Sequence, residues 1–261
     1  MWSIRSLHLH PPMTVRRVHA AHGWILPAAA IVVCALAVGA VAGLLVWDEP
    51  MTRWMVDSRT EAWNDLFRRI SFLGSTKVVV VVSLAAAAAS WRRCPRLAIA
   101  ILIVLIARPL AEGALKELVH RDRPAGDRLV RGIGHSFPSG HPLATAASWG
   151  MLPLVVALYT RRRVVWWSVA IGVWTLAILV AVSRVWLGVH WTSDVIAGLT
   201  LAVLGIALVE ELILADDCRC IRTDEDVRER AATSDADRLP PARSSPATSA
   251  PVPEGSGTPS R

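Results

Sequence analysis

The feature that most restricts this chain is a recurrence of apolar runs of about bilayer length, separated by short polar bursts. A helix needs about 20 residues to cross roughly 30 Å of hydrocarbon. Six runs reach or approach that length, at 24–47, 78–91, 97–119, 143–160, 164–182 and 195–214. The expected fold is therefore all-α, a polytopic membrane helical bundle with six transmembrane helices. The second run is short unless it begins near Phe72, and the third carries Arg108, Glu112 and Lys116 inside it. The first run exceeds the apolar region of a signal peptide and is followed by no small-residue cleavage site, so it reads as a retained anchor.

Composition agrees. Hydrophobic residues make up 53% of the chain and charged ones 19%, more apolar surface than one ordinary soluble domain can hide. The net charge of +7 speaks first to topology, because basic residues beside apolar spans set orientation and meet anionic headgroups. No nucleic acid partner is expected. Arg5, Arg16 and Arg17, then Arg92, Arg93 and Arg96, then Arg161 to Arg163 fall in alternate connections. Those connections and both termini are expected on the cytoplasmic side of the cell membrane, with the loops at 120–141 and 183–194 sharing the extracytoplasmic face.

Three regions follow: a cytoplasmic N-terminal segment at 1–23, a six-helix transmembrane domain at 24–215, and a tail at 216–261. The tail is rich in Asp, Arg, Ser, Pro and Thr and too poor in large apolar residues to fold. Residues 48–71 mix Trp54, Met55, Trp63, Leu66, Phe67 and Ile70 with charges, which suits an amphipathic helix along the interface or an ordered connecting loop. Cys34, Cys94, Cys218 and Cys220 lack zinc spacing, so free thiols and no metal are expected. Of 28 basic side chains only Lys77 and Lys116 are lysines, a bias typical of a GC-rich bacterial coding sequence.

Three segments place charge at the ends of apolar helices, where membrane proteins keep it only for use. In the first, Lys116 and Arg123 are two turns apart ahead of Pro124, so a continuing helix would project both from one face; snorkelling cations at a helix end would look alike. In the second, Phe137-Pro138-Ser139-Gly140-His141-Pro142 precedes an apolar run. Pro142 suits a first helical turn whose free N–H groups favour an anion. Ser139 adds a donor, Gly140 allows close approach, and His141 can give a proton; an ordinary helix cap is the plainer alternative. In the third, His190 and Asp194 are four apart at a helix start, where the carboxylate can fix the imidazole tautomer and leave the other nitrogen nucleophilic. Arg184 can return to the same site as a fork for phosphate oxygens. Arg108 and Glu112, one turn apart below Lys116, read as a structural pair or as support for that lysine.

In this order the segments read K-x6-R-P, P-S-G-H and S-R-x5-H-x3-D, at Lys116, Arg123 and Pro124, at Pro138 to His141, and at Ser183, Arg184, His190 and Asp194. Here the chain resembles the type 2 phosphatidic acid phosphatase family, in the membrane branch of a superfamily that includes bacterial acid phosphatases and vanadium haloperoxidases. The resemblance implies an integral-membrane lipid phosphatase with no cofactor or metal. Its substrate would be a lipid phosphomonoester or diphosphate: phosphatidate, phosphatidylglycerophosphate or a polyprenyl (di)phosphate. It assigns phosphate binding to Lys116, Arg123, Ser139, Gly140, His141 and Arg184, nucleophilic attack to His190, leaving-group protonation to His141, and orientation of His190 to Asp194. A lipid phosphotransferase using the same phosphohistidine, or a lipid transporter without catalysis, is compatible with the same outline.

Overall fold

The computed structural model describes residues 15–160 and 162–209, with side chains from 25 onward; the tail expected at 216–261 and most of the N-terminal segment lie outside the described residues. Within them the chain forms nine helices: α1 (Val15–Val41), α2 (Asp48–Asp57), α3 (Glu61–Leu73), α4 (Thr76–Trp91), α5 (Pro95–Val119), α6 (Gly140–Trp149), α7 (Leu152–Ala157), α8 (Arg163–Trp186) and α9 (Thr192–Val209). The described residues contain no strand.

Three of these helices, α5, α8 and α9, are individually long and apolar enough to cross a membrane. The second expected run needs help from the preceding segment: α3 and α4 qualify as one span bent by 42°. The run at 143–160 is not one helix, since α6 stops at Trp149 and α7 starts at Leu152. Pro153 explains the break, because it has no N–H for the Trp149 carbonyl and its ring would collide with that group. In α1 the stretch Ile25–Val41 is apolar but shorter. The multi-pass, all-helical class thus stands, with a less regular set of spans than six uniform rods.

Small side chains let the helices approach closely. Ala86 and Ala87 of α4, Ala98 and Ala100 of α5, Ala146 and Ala147 of α6, Ala177 of α8 and Ala202 of α9 share one buried cluster with Leu97, Ile101, Leu143 and Met151. Such contacts suit a medium in which lipid is as apolar as leucine, so packing rather than the hydrophobic effect must hold helices together. The outer surface is the reverse. Along α5 an exposed apolar stripe runs through Ile99, Ile103, Ile106, Leu110 and Leu118, at helical spacing.

The segment at 48–71, expected as an interfacial helix or an ordered loop, forms two helices, α2 and most of α3, and α3 packs against α8. Thr60 caps α3 by accepting from the Trp63 N–H at 3.4 Å, and Phe67 packs on Trp186 of α8 with ring centroids 4.9 Å apart. Trp186 also donates its indole N–H to Asn64 at 3.0 Å. These contacts clamp α3 to the end of α8.

A tight backbone approach near the motifs lies between α9 and the start of α6. A Cβ added at Gly198 would stand 2.6 Å from the Ser139 carbonyl oxygen and 3.4 Å from the Leu143 nitrogen. Gly198→Ala is therefore expected to force α6 and α9 apart and to cost about 1–3 kcal/mol. Thermal melting in detergent followed by tryptophan fluorescence checks this, as a midpoint lowered by several degrees.

Candidate active site

The three charged segments meet where α5 ends, α6 begins and α8 passes to α9. His190, 3% exposed, lies in the short turn between α8 and α9. Its Nδ1 is 2.8 Å from the Ser136 carbonyl oxygen. A carbonyl only accepts, so the proton sits on Nδ1 and Nε2 carries the lone pair. That lone pair faces the Arg123 Nη1 at 3.1 Å. Burial lowers the pKa of His190 to about 4, the Arg184 and Arg123 charges push the same way, and the Asp194 carboxylate opposes them. The imidazole is neutral at ordinary pH.

Arg123 has no idle donor. Besides His190, it gives N–H bonds to the carbonyls of Val189, Gly134, Ile133 and His135, at 2.7, 2.9, 2.8 and 3.1 Å. Its pKa is lowered by burial. Gly132 is needed beneath it, since a Cβ there would lie 2.9 Å from the Arg123 Cδ. The guanidinium thus brackets the 133–135 stretch against the His190 turn.

Asp194 is fully buried, and its nearer carboxylate oxygen stands 3.6 Å from His190 Nδ1, longer than a hydrogen bond. The reason is competition. One oxygen accepts from Arg121 at 2.7 Å and the other from the Trp191 N–H at 2.9 Å. The group that fixes the His190 tautomer is the Ser136 carbonyl, and Asp194 acts on the ring through charge. Arg121 also reaches Asp48 at 2.7 Å and the Ser193 hydroxyl at 2.6 Å, while Asp48 accepts from the Ser193 N–H at 2.9 Å and from its hydroxyl. Asp48, 2% exposed, thereby caps α9 from the far end of the first apolar run.

Opposite His190 lies the start of α6. Ser139 donates its N–H to the Asp194 carbonyl at 3.0 Å, while its buried hydroxyl has no partner. Arg184, 6% exposed, gives one N–H to Ser71 at 2.7 Å, and its Nε is likewise buried and unpartnered. His141, in the first turn of α6, feels the charges of Arg184, His190, Lys116 and Arg108. Lys116 donates to Glu112 at 2.6 Å and Arg108 reaches the other oxygen at 3.2 Å. The Glu112 carboxylate rests on Gly140, where an added Cβ would come within 2.2 Å of it. Unpartnered donors, cations and a helix N-terminus around one place have the chemistry that an oxyanion favours.

The structure thus gathers Lys116, Arg123, Ser139, Gly140, His141, Arg184, His190 and Asp194 at one end of the bundle. Sequence reasoning passed over Arg121, Asp48 and the Ser136 carbonyl. Asp48 carried a signal, as a carboxylate closing an apolar run; a backbone carbonyl carries none. Metal-ligand chemistry among the described residues is confined to Glu117, His120 and His135, outside this constellation.

Comparison with known proteins agrees with the geometry. Residues 96–214 match the model of the PAP2 superfamily. Phosphatidylglycerophosphatase B of Bacillus subtilis (strain 168) is 29% identical over 169 residues, covering 62% of this chain and 81% of that protein. The crystal structure of a transmembrane PAP2-type phosphatidylglycerolphosphate phosphatase from Bacillus subtilis superposes with a TM-score of 0.63 at 26% identity, over 75% of this chain and 97% of the other. Aquifex aeolicus LpxE shares the fold, with a TM-score of 0.50 at 19% identity over 63% and 96% of the two chains. With its three motifs converging at one end of a bundle of apolar helices, this chain is similar over residues 96–214 to the PAP2 superfamily, and over three quarters of its length to a transmembrane structure of that type.

Proposed function

We propose that this chain is a lipid phosphatase that cleaves a phosphomonoester or diphosphate through a phosphohistidine on His190. The observation that carries the reading is a buried neutral imidazole whose Nε2 lone pair faces the Arg123 guanidinium, with the charge of Arg184 also acting on the ring. The relative named phosphatidylglycerophosphatase B makes a phosphatidylglycerophosphate-type lipid the first substrate to try. The arginine distribution supports a site on the extracytoplasmic face.

Phosphoryl transfer needs in-line positioning and neutralisation of three equatorial oxygens more than covalent chemistry. Lys116, Arg184, the Ser139 hydroxyl and the α6 amide groups receive those oxygens. The Nε2 of His190 forms the bond to phosphorus as the bond to the leaving oxygen breaks, and His141 gives that oxygen its proton. Arg123 then exchanges its bond to Nε2 for one to a phosphate oxygen. Water cleaves the phosphohistidine, with His141 taking the proton back. Positive charge comes from side chains, so turnover is expected to persist in EDTA.

Purified protein in detergent with EDTA, offered a panel of lipid phosphates while free phosphate is measured, tests the reading. His190→Ala is expected to lower turnover by at least about a thousandfold; wild-type rates in that variant would overturn it. The pH dependence carries a sign. Attack requires neutral His190, which predominates above its lowered pKa of about 4. The rate of phosphoenzyme formation, trapped by an alkaline detergent quench that preserves the P–N bond, should therefore not fall between pH 7 and 5 through the ordinary imidazole range near 6.5, and protonation of the His141 donor can only raise it there.

Glu112 gives a further expectation. Its carboxylate holds the Lys116 ammonium against Gly140, where phosphate would sit, so it competes with the substrate for that cation. Removing the charge in Glu112→Gln should lower the inhibition constant of orthovanadate about tenfold, equivalent to about 1.4 kcal/mol. Competition assays on the lipid phosphatase reaction read this directly.

A further inference from the structure

Two imidazoles and a carboxylate near the phosphate receptor take no part in the chemistry above. Glu117 and His120 are three residues apart at the end of α5. His120 closes that helix in the left-handed region, with φ of 48°, a turn that ends the helical path and carries the chain back over its last residues. Its Nε2 lies 3.7 Å from Glu117 Oε2. His135 comes from the far end of the following loop, and its ring meets the His120 ring edge-on at 4.6 Å between centroids. One ligand atom from each of the three residues lies within 4.8 Å of the other two.

We infer that Glu117, His120 and His135 form a site for a divalent cation of the zinc type. Two neutral imidazole nitrogens and one carboxylate oxygen are the donor set that such borderline ions prefer, with water completing a tetrahedron. Bond lengths of about 2.0–2.2 Å require ligand atoms to approach to about 3.3 Å. The side chains of Glu117 and His120 are 77% and 60% exposed, so their torsions can supply that contraction without moving the bundle.

The site is tied by backbone to the reacting groups. The His135 carbonyl accepts from Arg123 at 3.1 Å. The next carbonyl, of Ser136, accepts from His190, and the Ser136 N–H donates to the Arg121 carbonyl at 2.8 Å. An ion that joins His135 to the end of α5 therefore braces the stretch that orients both Arg123 and His190. Its role is to steady the loop, and the phosphoryl chemistry proceeds without it.

The test is titration of the full chain, purified in detergent and stripped with EDTA, with Zn2+ alone, by competition against a chromophoric chelator. Other histidines and the Cys218-x-Cys220 pair can also take zinc, so the difference between proteins is read. The double variant His120→Ala/His135→Ala should bind one equivalent fewer than the wild type and lose the zinc-dependent rise in thermal midpoint. Equal stoichiometry in the two proteins, or no binding to either, overturns the inference. Should the double variant not fold, Glu117→Gln decides. Its side chain is exposed, so the substitution leaves the packing intact, and it should weaken one equivalent about tenfold; an unchanged isotherm overturns the inference.

Discussion

The fork of Arg121 between Asp48 and Asp194 is the interaction on which the site depends. It joins the start of α2, the loop after α5 and the first turn of α9 through bonds of 2.7 Å to each carboxylate. Both carboxylates are essentially excluded from solvent, and removing one partner of such a buried set typically costs about 3–5 kcal/mol because the other charge is stranded. Arg121 also leads directly to the Asp122 and Arg123 backbone. The Asp122 carbonyl takes the Ser136 hydroxyl at 3.0 Å and the Trp191 indole at 2.8 Å. The loop, the His190 turn and the helix start therefore share one framework.

Electrostatic readiness follows from that framework. Lys116 and Arg108 share the Glu112 carboxylate as counter-charge, Arg123 feels Asp194 and more weakly Glu112, and Arg184 lies close enough to Arg123 to feel its charge. Donors without partners persist at Ser139 and Arg184, an arrangement that leaves hydrogen-bonding capacity fixed in direction before any substrate arrives. Such preorganisation needs no reorganisation at the moment charge moves onto an oxyanion.

Much of this was legible in the residues. Apolar runs gave the helical membrane class, and charges at helix ends marked Lys116, His141, Arg184 and His190. What could not be seen were effects that depend on atoms without sequence identity. The carbonyl of Ser136 holds His190, a part that spacing had offered to Asp194. The saturation of Arg123 depends on three carbonyls set by the path of the 133–135 backbone and on a fourth from Val189. The break between α6 and α7 was written in Pro153, yet a smoothed count of apolar residues passes over one proline. The segment at 48–71 stayed open because hydropathy does not say which face meets α8.

The apolar stripe along the outside of α5 bears on how a lipid reaches the receptor. It ends at Leu118, in the same helical turn as Lys116, so hydrocarbon contact continues to the level of that ammonium. Withdrawing a methylene from the bilayer costs about 0.8 kcal/mol, and a full acyl chain would make removal into water prohibitive. A headgroup that swings sideways from the leaflet onto Lys116 leaves its tails where they are. Delivery then becomes two-dimensional diffusion within the membrane plane, and the protein spends its binding interactions on the phosphate alone.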